Sequence, residues 1–387
     1  MNANITDTIK YIGVYDKDVE IFESQYKTPF GMAFNSYIIL DEKIAILDTI
    51  DENETEKWLC NMDLFLNGKS PDYLIISHLE PDHAANIKLL CEKFEDMKLV
   101  GNARTFSMLP QFFDLDFEER KVVVSDGETL SLGSHKLTFY LAPMVHWPEV
   151  MVTYDETEKV LFSADGFGRF GSNDEGDEWN DEARRYYYNI VGKYGVQVQA
   201  LLGKAATLDI LKICPLHGPV LNTNLEKYIR LYDTWSKYEV EQSGVLIAYA
   251  SIYGHTANVA KMLSEMLQKS GVKTELVDLT TADMAFALSR AFIYDRLVIA
   301  ASSYDGGLFP VAEYFLMRLK SKLYKNRTVG IIENGSWGPV AGKVIKSYLE
   351  QLKDITILEP TITIKTSLNE KSANALKELC EKMSTFP

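Results

Sequence analysis

The sequence lacks any C-x-x-C pair, because its four cysteines, Cys60, Cys91, Cys214 and Cys380, are scattered across 387 residues. That excludes an appended rubredoxin-type or zinc-ribbon module, and the usage fits a reducing compartment. It also lacks the run of about 18 apolar residues that a membrane span requires, and its opening, MNANITDTIKYIGVYDKD, has no apolar signal segment. A cytoplasmic protein with no membrane partner is expected. Positive charge is scarce where residues 1–243 carry 41 acids against 23 bases (net −18), whereas residues 244–387 carry 14 against 17 (net +3). Nucleic acid is therefore not an expected partner. Histidine is scarce as well: there are six, at 78, 83, 135, 146, 217 and 255.

With 46% hydrophobic and 25% charged residues, the chain can bury a sizeable core, and its length favours two domains. Residues 34–48, FNSYIILDEKIAILD, predict a hairpin turning at Asp41-Glu-Lys43. Short strands are expected at 73–77, 97–101, 120–124, 136–141, 150–154 and 159–163, with helical periodicity at 54–66, 83–94, 104–113 and 182–202. Two sheets between helices accommodate that order. After a helix-like 224–240, the continuous apolar strand VLIAYAS opens a regular alternation of strand and helix, which means a doubly wound parallel sheet. The boundary is placed near 242–244, dividing the chain into 1–242 and 243–387.

The stretch SHLEPDHAANI sets His78, Glu80, Asp82 and His83 within six positions, just after the apolar run Tyr73-Leu-Ile-Ile76. Burying carboxylates is costly unless they are paired or bind a metal. A solvated loop with Asp82 capping a helix is the plainer account. Three further residues weigh against it: His146 in APMVHWPE, Asp165 in LFSADGFG and His217 in ICPLHGP each stand where an expected strand meets a turn. Strand ends on one rim can converge.

The order H-x-[EH]-x-D-H, then H, D and H, resembles the two-metal motif of the metallo-β-lactamase superfamily. Zinc hydrolases of that superfamily usually have His where this chain has Glu80. Four imidazoles with three carboxylates make a harder, more anionic set, suited to Fe²⁺/Fe³⁺. Together with the second domain, the chain resembles the flavodiiron proteins, or A-type flavoproteins, over essentially its whole length. The implied fold is an N-terminal metallo-β-lactamase-like αββα sandwich followed by a flavodoxin-like sheet. The resemblance implies one iron on His78, Glu80 and His146, and a second on Asp82, His83 and His217. Asp165 would bridge them, and His83 is the ligand whose binding varies within the family. Tyr26, in FESQYKTPFG, matches a position beside the ligands that could donate a proton or hydrogen bond. A Tyr covering the core is the alternative.

In the second domain, Ser251-Ile252-Tyr253-Gly254-His255-Thr256 links a strand to a helix, so its backbone N–H groups and hydroxyls would cradle an anion. It resembles the flavodoxin phosphate loop, with Tyr253 at the third position. Two more loops follow strands: Ser302-Ser303-Tyr304-Asp305-Gly306-Gly307 and Asn334-Gly335-Ser336-Trp337. Ligands of open α/β sheets bind at such ends. Tyr304 and Trp337 are candidate stacking faces for the flavin of FMN. The family's loop typically reads SPTYNxGLFP, so Ser303-Tyr304-Asp305 departs from it. One motif is a decoy: Gly166-Phe-Gly-Arg-Phe-Gly171 matches G-x-G-x-x-G, but the acidic SNDEGDEWND after it carries no apolar helical period, so nicotinamide binding is rejected there.

A flavin and two ferrous ions together store four electrons, the number that takes O₂ to water, while two NO need two to give N₂O. The expected function is a scavenging reductase of O₂ and/or NO. Electrons would come from a separate protein, with rubredoxin the donor the resemblance implies, and the assembly would be a head-to-tail homodimer or a dimer of such dimers. The basic run Arg318–Arg327 is either a donor-docking patch or a solvated helix end. A zinc hydrolase fused to a flavodoxin, and an electron carrier with a vestigial metal site, are the competing readings.

Overall fold

Short, mostly apolar strands build two sheets in the first part of the chain. Tyr37–Ile39 and Ala45–Leu47 pair antiparallel about the Asp41-Glu-Lys43 link, as the apolar–polar–apolar pattern predicts. The first sheet runs in the order Ile9–Tyr11, Tyr37–Ile39, Ala45–Leu47, Tyr73–Ile75, Lys98–Gly101, Lys121–Val123. The second runs Thr129–Ser131, Lys136–Leu141, Met151–Asp155, Val160–Phe162, Lys212–Cys214. Ile9, Tyr37, Leu47 and Ile75 of one sheet share a single buried cluster with Leu137, Phe139, Met151 and Phe162 of the other. Truncating a ring such as Phe139 to alanine there would cost about 3–5 kcal/mol. Helices such as Thr55–Leu66, which buries Trp58, Met62 and Leu66, complete the layers.

The computed structural model describes residues 4–172 and 179–385. They divide into two units, Met1–Asp233 and Thr234–Pro387. The division falls inside the helix Leu225–Lys237, ahead of the expected 242–244. Tyr232 of that helix stacks on Phe167 in the first unit, while Trp235 donates to Glu241 and Arg327 donates to the carbonyls of Tyr238 and Glu239 in the second.

Three helices depart from their expected spans. The stretch 83–94 is two helices, Pro81–Ala84 and Ile87–Lys93, interrupted where Asn86 donates to the carbonyl of Ile50. Pro81 starts the first of them at no cost, since its missing N–H has no partner in a first turn. Glu80, not Asp82, stands at the capping position and makes no cap bond. The stretch 104–113 becomes Ala103–Met108 and a 3₁₀ turn, Leu109–Gln111, around Pro110. The stretch 182–202 becomes Trp179–Tyr186, a π-helical turn Tyr187–Val191, and Gly195–Ala205.

The second unit is a parallel sheet in the order Thr274–Asp278, Gln242–Ala250, Tyr294–Tyr304, Arg327–Asn334, Ile355–Ile357. In chain order that is 2-1-3-4-5, the flavodoxin-like doubly wound arrangement. Val245, Ile247, Val298 and Ile332 pack on one face against Val259, Leu263 and Leu267 of helix His255–Lys269 and Leu379 and Met383 of helix Glu370–Ser384. Helices Met284–Ala291, Pro310–Ser321 and Ala341–Leu349 also contact the sheet. A sheet buried on both faces explains why its strands read as unbroken apolar runs. A short strand absent from the sequence reading, Ile362–Ile364, extends the pairing beside Ile332–Asn334.

Candidate metal centre and flavin cleft

All seven residues of the first constellation meet on one rim, five of them at or just beyond the end of a strand. His78 and Glu80 follow Tyr73–Ile75, His146 follows Lys136–Leu141, Asp165 follows Val160–Phe162 and His217 follows Lys212–Cys214. Asp82 and His83 project from the single turn Pro81–Ala84. They form two groups of potential ligand atoms, one from His78, Glu80, His146 and Asp165, the other from Asp82, His83 and His217.

Asp165 addresses both groups. Its Oδ2 lies 2.9 Å from His146 Nε2 and 3.4 Å from His78 Nε2, while Oδ1 lies 3.8 Å from His83 Nε2 and 3.9 Å from His217 Nε2. Glu80 Oε2 is 2.9 Å from His146 Nε2, and Asp82 Oδ2 is 3.2 Å from His217 Nε2. The ring of His217 is oriented by its Nδ1–H, which donates to the carbonyl of Ala33 at 2.8 Å, leaving Nε2 turned inward. Phe22 and Phe34 wall the same imidazole at centroid distances of 5.4 and 5.9 Å.

Such a cluster does not satisfy itself. His78 Nε2, both oxygens of Asp82 and Asp165 Oδ1 are buried without hydrogen-bond partners. Leaving each unpaired costs about 1–3 kcal/mol. In the absence of a cation, protons carry the balancing charge: against the opposing effect of burial, Asp165 and Glu80 drive His146 up to about 10, and His146 and His78 draw Glu80 down to about 2. Burial instead lifts Asp82 to about 6. Divalent cations would displace those protons and complete the orphaned atoms. The residues fit a pair of metal ions.

The glycines of the decoy motif serve this site. A Cβ at Gly168 would meet the carbonyl of Asp165 at 3.0 Å and His217 Cβ at 3.5 Å, so the turn that presents Asp165 leaves little room for a side chain there. Part of the acidic stretch after it, residues 173–178, lies outside the described residues, and a helix begins at Trp179. Tyr26 is buried and its hydroxyl donates to the carbonyl of Asn189 at 3.2 Å. Tyr186, which the sequence reading missed, has its ring 5.5 Å from that of His217. Its phenol is held well above its ordinary range by burial and by Asp165, Glu80 and Asp82. Nothing in the run Arg-Arg-Tyr-Tyr-Tyr-Asn distinguishes that tyrosine; the π-helical turn after it is the only local mark. A cavity of about 410 Å³ opens beside Glu80 and Asp82, lined by Phe22, Glu23 and Phe34 among others.

In the second unit the three loops converge on one cleft of about 230 Å³. All of the expected loop residues line it except Gly254 and Gly307, and Gly338 and Thr366 join them. Gly254, at φ +88°, turns the chain into helix His255–Lys269, and its N–H donates to Ser251 Oγ. Thr256 Oγ1 is 3.1 Å from Ser302 Oγ and accepts from Asn334 Nδ2. Ser303, in the loop that departs from the resembled pattern, accepts from the N–H groups of Val340 and Ala341 and so ties its loop to the start of helix Ala341–Leu349. Asn334 exchanges hydrogen bonds with the backbone of Thr366, and the period-two pattern of TITIKT is the signal that could have revealed that segment. Trp337 is 97% and Tyr253 90% exposed, large apolar faces that a planar ring can cover. Backbone donors, hydroxyls and open aromatic faces fit a flavin nucleotide.

The basic run stands elsewhere. Lys325 and Arg327 lie at the start of strand Arg327–Asn334, whose other end enters the cleft, about 25 Å away at strand rise. Lys320 and Lys322 are at the far end of helix Pro310–Ser321 from the Ser302–Gly307 loop. Arg327 is buried on backbone carbonyls, and Lys325 sits 4.2 Å from the centroid of Tyr238. The run is therefore not at the flavin edge, because a helix and a strand each span the full depth of the sheet.

Comparison with known proteins agrees with this geometry. Residues 32–218 match the ODP family beta lactamase model, and residues 246–362 match a flavodoxin domain model. The nitric oxide reductase of Moorella thermoacetica is 28% identical, with 93% of this chain and 92% of that protein aligned. The structure of rubredoxin oxygen:oxidoreductase from Desulfovibrio gigas superposes with a TM-score of 0.91 at 25% identity, covering 99% of this chain and 98% of that one. The flavodiiron protein of Giardia intestinalis has the same fold, with a TM-score of 0.90, 24% identity and coverage of 99% and 96%. Longer relatives named as putative diflavin flavoproteins also match, and the chain spans 66% of their length.

Proposed function

We propose, from the premise that this chain belongs to the flavodiiron proteins, that it reduces O₂ to water and/or NO to N₂O at a non-haem di-iron centre served by FMN. When bound, the irons and the flavin supply the stored electrons and the Lewis acidity that the reduction needs. The observation that carries the reading is Asp165, one buried carboxylate whose two oxygens face two separate groups of ligand atoms. We assign one iron to His78, Glu80 and His146, the other to Asp82, His83 and His217, and the bridging position to Asp165. Ala33 orients His217 through its carbonyl, and Phe22 and Phe34 keep that imidazole out of bulk water. The Tyr186 phenol, kept protonated by burial and by these carboxylates, holds a hydrogen-bond donor beside His217. Tyr26, held on the Asn189 carbonyl, supports the wall rather than the chemistry.

The test is metal content together with gas consumption by the reduced, iron-loaded protein. Two irons per chain with turnover of either gas are expected; two zincs with thioesterase or esterase activity would replace this reading by a hydrolase.

Rubredoxin is the proposed donor, supported by the name of the Desulfovibrio gigas neighbour and by the absence of a paired-cysteine module in this sequence. A cytoplasmic site of action is supported by four free cysteines, and no helix among the described residues is long and apolar enough to cross a membrane. We further assign a head-to-tail homodimer, alone or doubled into a tetramer, that sets one chain's FMN beside its partner's irons. The exposed faces of Trp337 and Tyr253, and of Phe30 (59%) and Ile21 (55%), support such a pairing. Hybrids of Asp165→Ala chains with chains made flavin-free by Ser251→Glu and Thr256→Glu should recover turnover. Well-formed hybrids without activity would place electron transfer within one chain.

A further inference from the structure

Phenylalanine walls one side of the metal rim, at Phe22 and Phe34 against His217, but the side behind Asp165 is built differently. Phe167, two residues on from Asp165, donates its backbone N–H to the hydroxyl oxygen of Tyr232, so two residues of chain, about 7 Å at most, and one hydrogen bond separate them. Tyr232 and Tyr228 stand one turn apart on helix Leu225–Lys237, and Trp179 packs against both, with ring centroids 6.4 Å from Tyr232 and 4.7 Å from Tyr228. Tyr232 and Trp179 are buried, whereas Tyr228 is half-buried. Two phenols and an indole thus run in line from beside the shared carboxylate to where solvent reaches.

Filling a core does not require that choice, since phenylalanine packs as well and needs no polar partner. A phenol or an indole adds an electron that it can give up far more readily than a phenyl ring can, and electrons pass quickly between aromatic rings in contact. Two other oxidisable rings beside the ligands meet phenyl rings instead: Tyr186 meets Phe170 at 5.1 Å, and Trp147, 6.4 Å from His78, meets Phe112 at 6.2 Å. Resting on the di-iron reading above, we propose that Tyr232, Trp179 and Tyr228 form a relay that discharges peroxide at the rim when the flavin holds no electrons, drawing on a small thiol in solution and sparing the ligands. Hydrogen peroxide takes up two electrons and two protons from solvent to give two waters. Each electron leaves Tyr228 by way of Trp179 and Tyr232, which are oxidised and re-reduced in turn and end unchanged, while the Tyr228 phenol releases its proton to solvent. A thiol then returns one electron and one proton to Tyr228, and two such thiols end as a disulfide.

The experiment treats the full chain, loaded with iron and FMN, with hydrogen peroxide and a nitroso spin trap in the absence of thiol, and maps the trap adducts by peptide mass spectrometry. Adducts should concentrate on Tyr228 and fall at least fivefold there in Trp179→Phe and in Tyr232→Phe, with gas turnover before peroxide within twofold of the unaltered protein. In Tyr228→Phe, a change at a half-buried ring that leaves the core intact, the adduct should move inward to Trp179. With a small thiol present, the unaltered protein should keep its gas turnover under peroxide at least threefold longer than any of the three variants. Labelling of Tyr228 that persists in Trp179→Phe and Tyr232→Phe, or in metal-free protein, would mean that peroxide attacks that ring from solvent; that result, absence of adduct on Tyr228 in protein holding two irons, or equal survival of Tyr228→Phe overturns the relay and leaves the di-iron reading intact. If the protein held zinc and formed no adduct at all, the di-iron reading would fail first and the inference with it.

Discussion

The metal rim and the flavin cleft solve opposite problems. At the rim, seven side chains are driven out of water and leave polar atoms unsatisfied, whereas at the cleft hydroxyls are mutually bonded and the aromatic faces stand in solvent. The rim is specified by residue type, since no other side chains offer that ligand set. The cleft is specified chiefly by backbone turns, which tolerate departures such as the loop of Ser303 provided that it is still tied down. Loss of a rim residue should thus be all-or-none, and loss of a cleft residue graded.

The sharpest way to break that contrast is Asp165→Ala. Both groups lose their shared carboxylate, so iron should fall below one per chain and gas turnover by at least about a thousandfold, the scale of a removed catalytic electrostatic contact. Retention of a coupled di-iron signal would reject the shared role. Next comes Glu80→His, which makes the set nitrogen-rich: zinc should displace iron when the protein is loaded from an equimolar mixture, with turnover falling in proportion. Equal iron occupancy in that variant would show that ligand softness does not select the metal here.

A buried histidine away from the rim serves as a control. His135 Nδ1 is 2.9 Å from Asp155, whose hydrogen bond raises the imidazole above its ordinary value. A raised value means that the pair stabilises the fold fully below the unfolded imidazole range, and that this contribution fades as pH rises through the folded value. Asp155→Asn should lower stability at pH 5.5 by about 2 kcal/mol, less at high pH, with iron content unaltered. A stability loss independent of pH would remove the charge from that account. At the cleft, Thr256→Ala should weaken FMN by about tenfold, the worth of one hydrogen bond to a charged group, without loss of iron. The smallest effect is expected from reversing Lys320, Lys322 and Lys325 to Glu together: with the run at the far end of the sheet, flavin reduction by rubredoxin should change less than twofold at moderate salt. A steep loss would mean that the donor docks there after all.

Much of this was readable before any coordinates. The parallel order of the second unit, the hairpin at 34–48 and the meeting of seven ligand-type residues follow from periodicity and from the improbability of so many ionisable groups at strand ends. Tyr186 and the end of the sheet that holds Lys325 were not readable, because each depends on where distant segments cross. Tyr186 lies next to His217 although 31 positions separate them in the chain.

What the sequence determined alone was therefore chemistry: which side chains offer metal-ligand atoms, which strand-to-helix turns present backbone N–H groups and hydroxyls, and that the chain alternates strand with helix from residue 244 onward. Only the tertiary structure decided how those atoms divide. The split of Asp165 between two imidazole pairs, the tight turn at Gly168, and the Ser303 bonds that tie its loop to helix Ala341–Leu349 all depend on strands and loops far apart in sequence meeting at fixed register, and register is set by packing on both faces of a sheet, which no local pattern records.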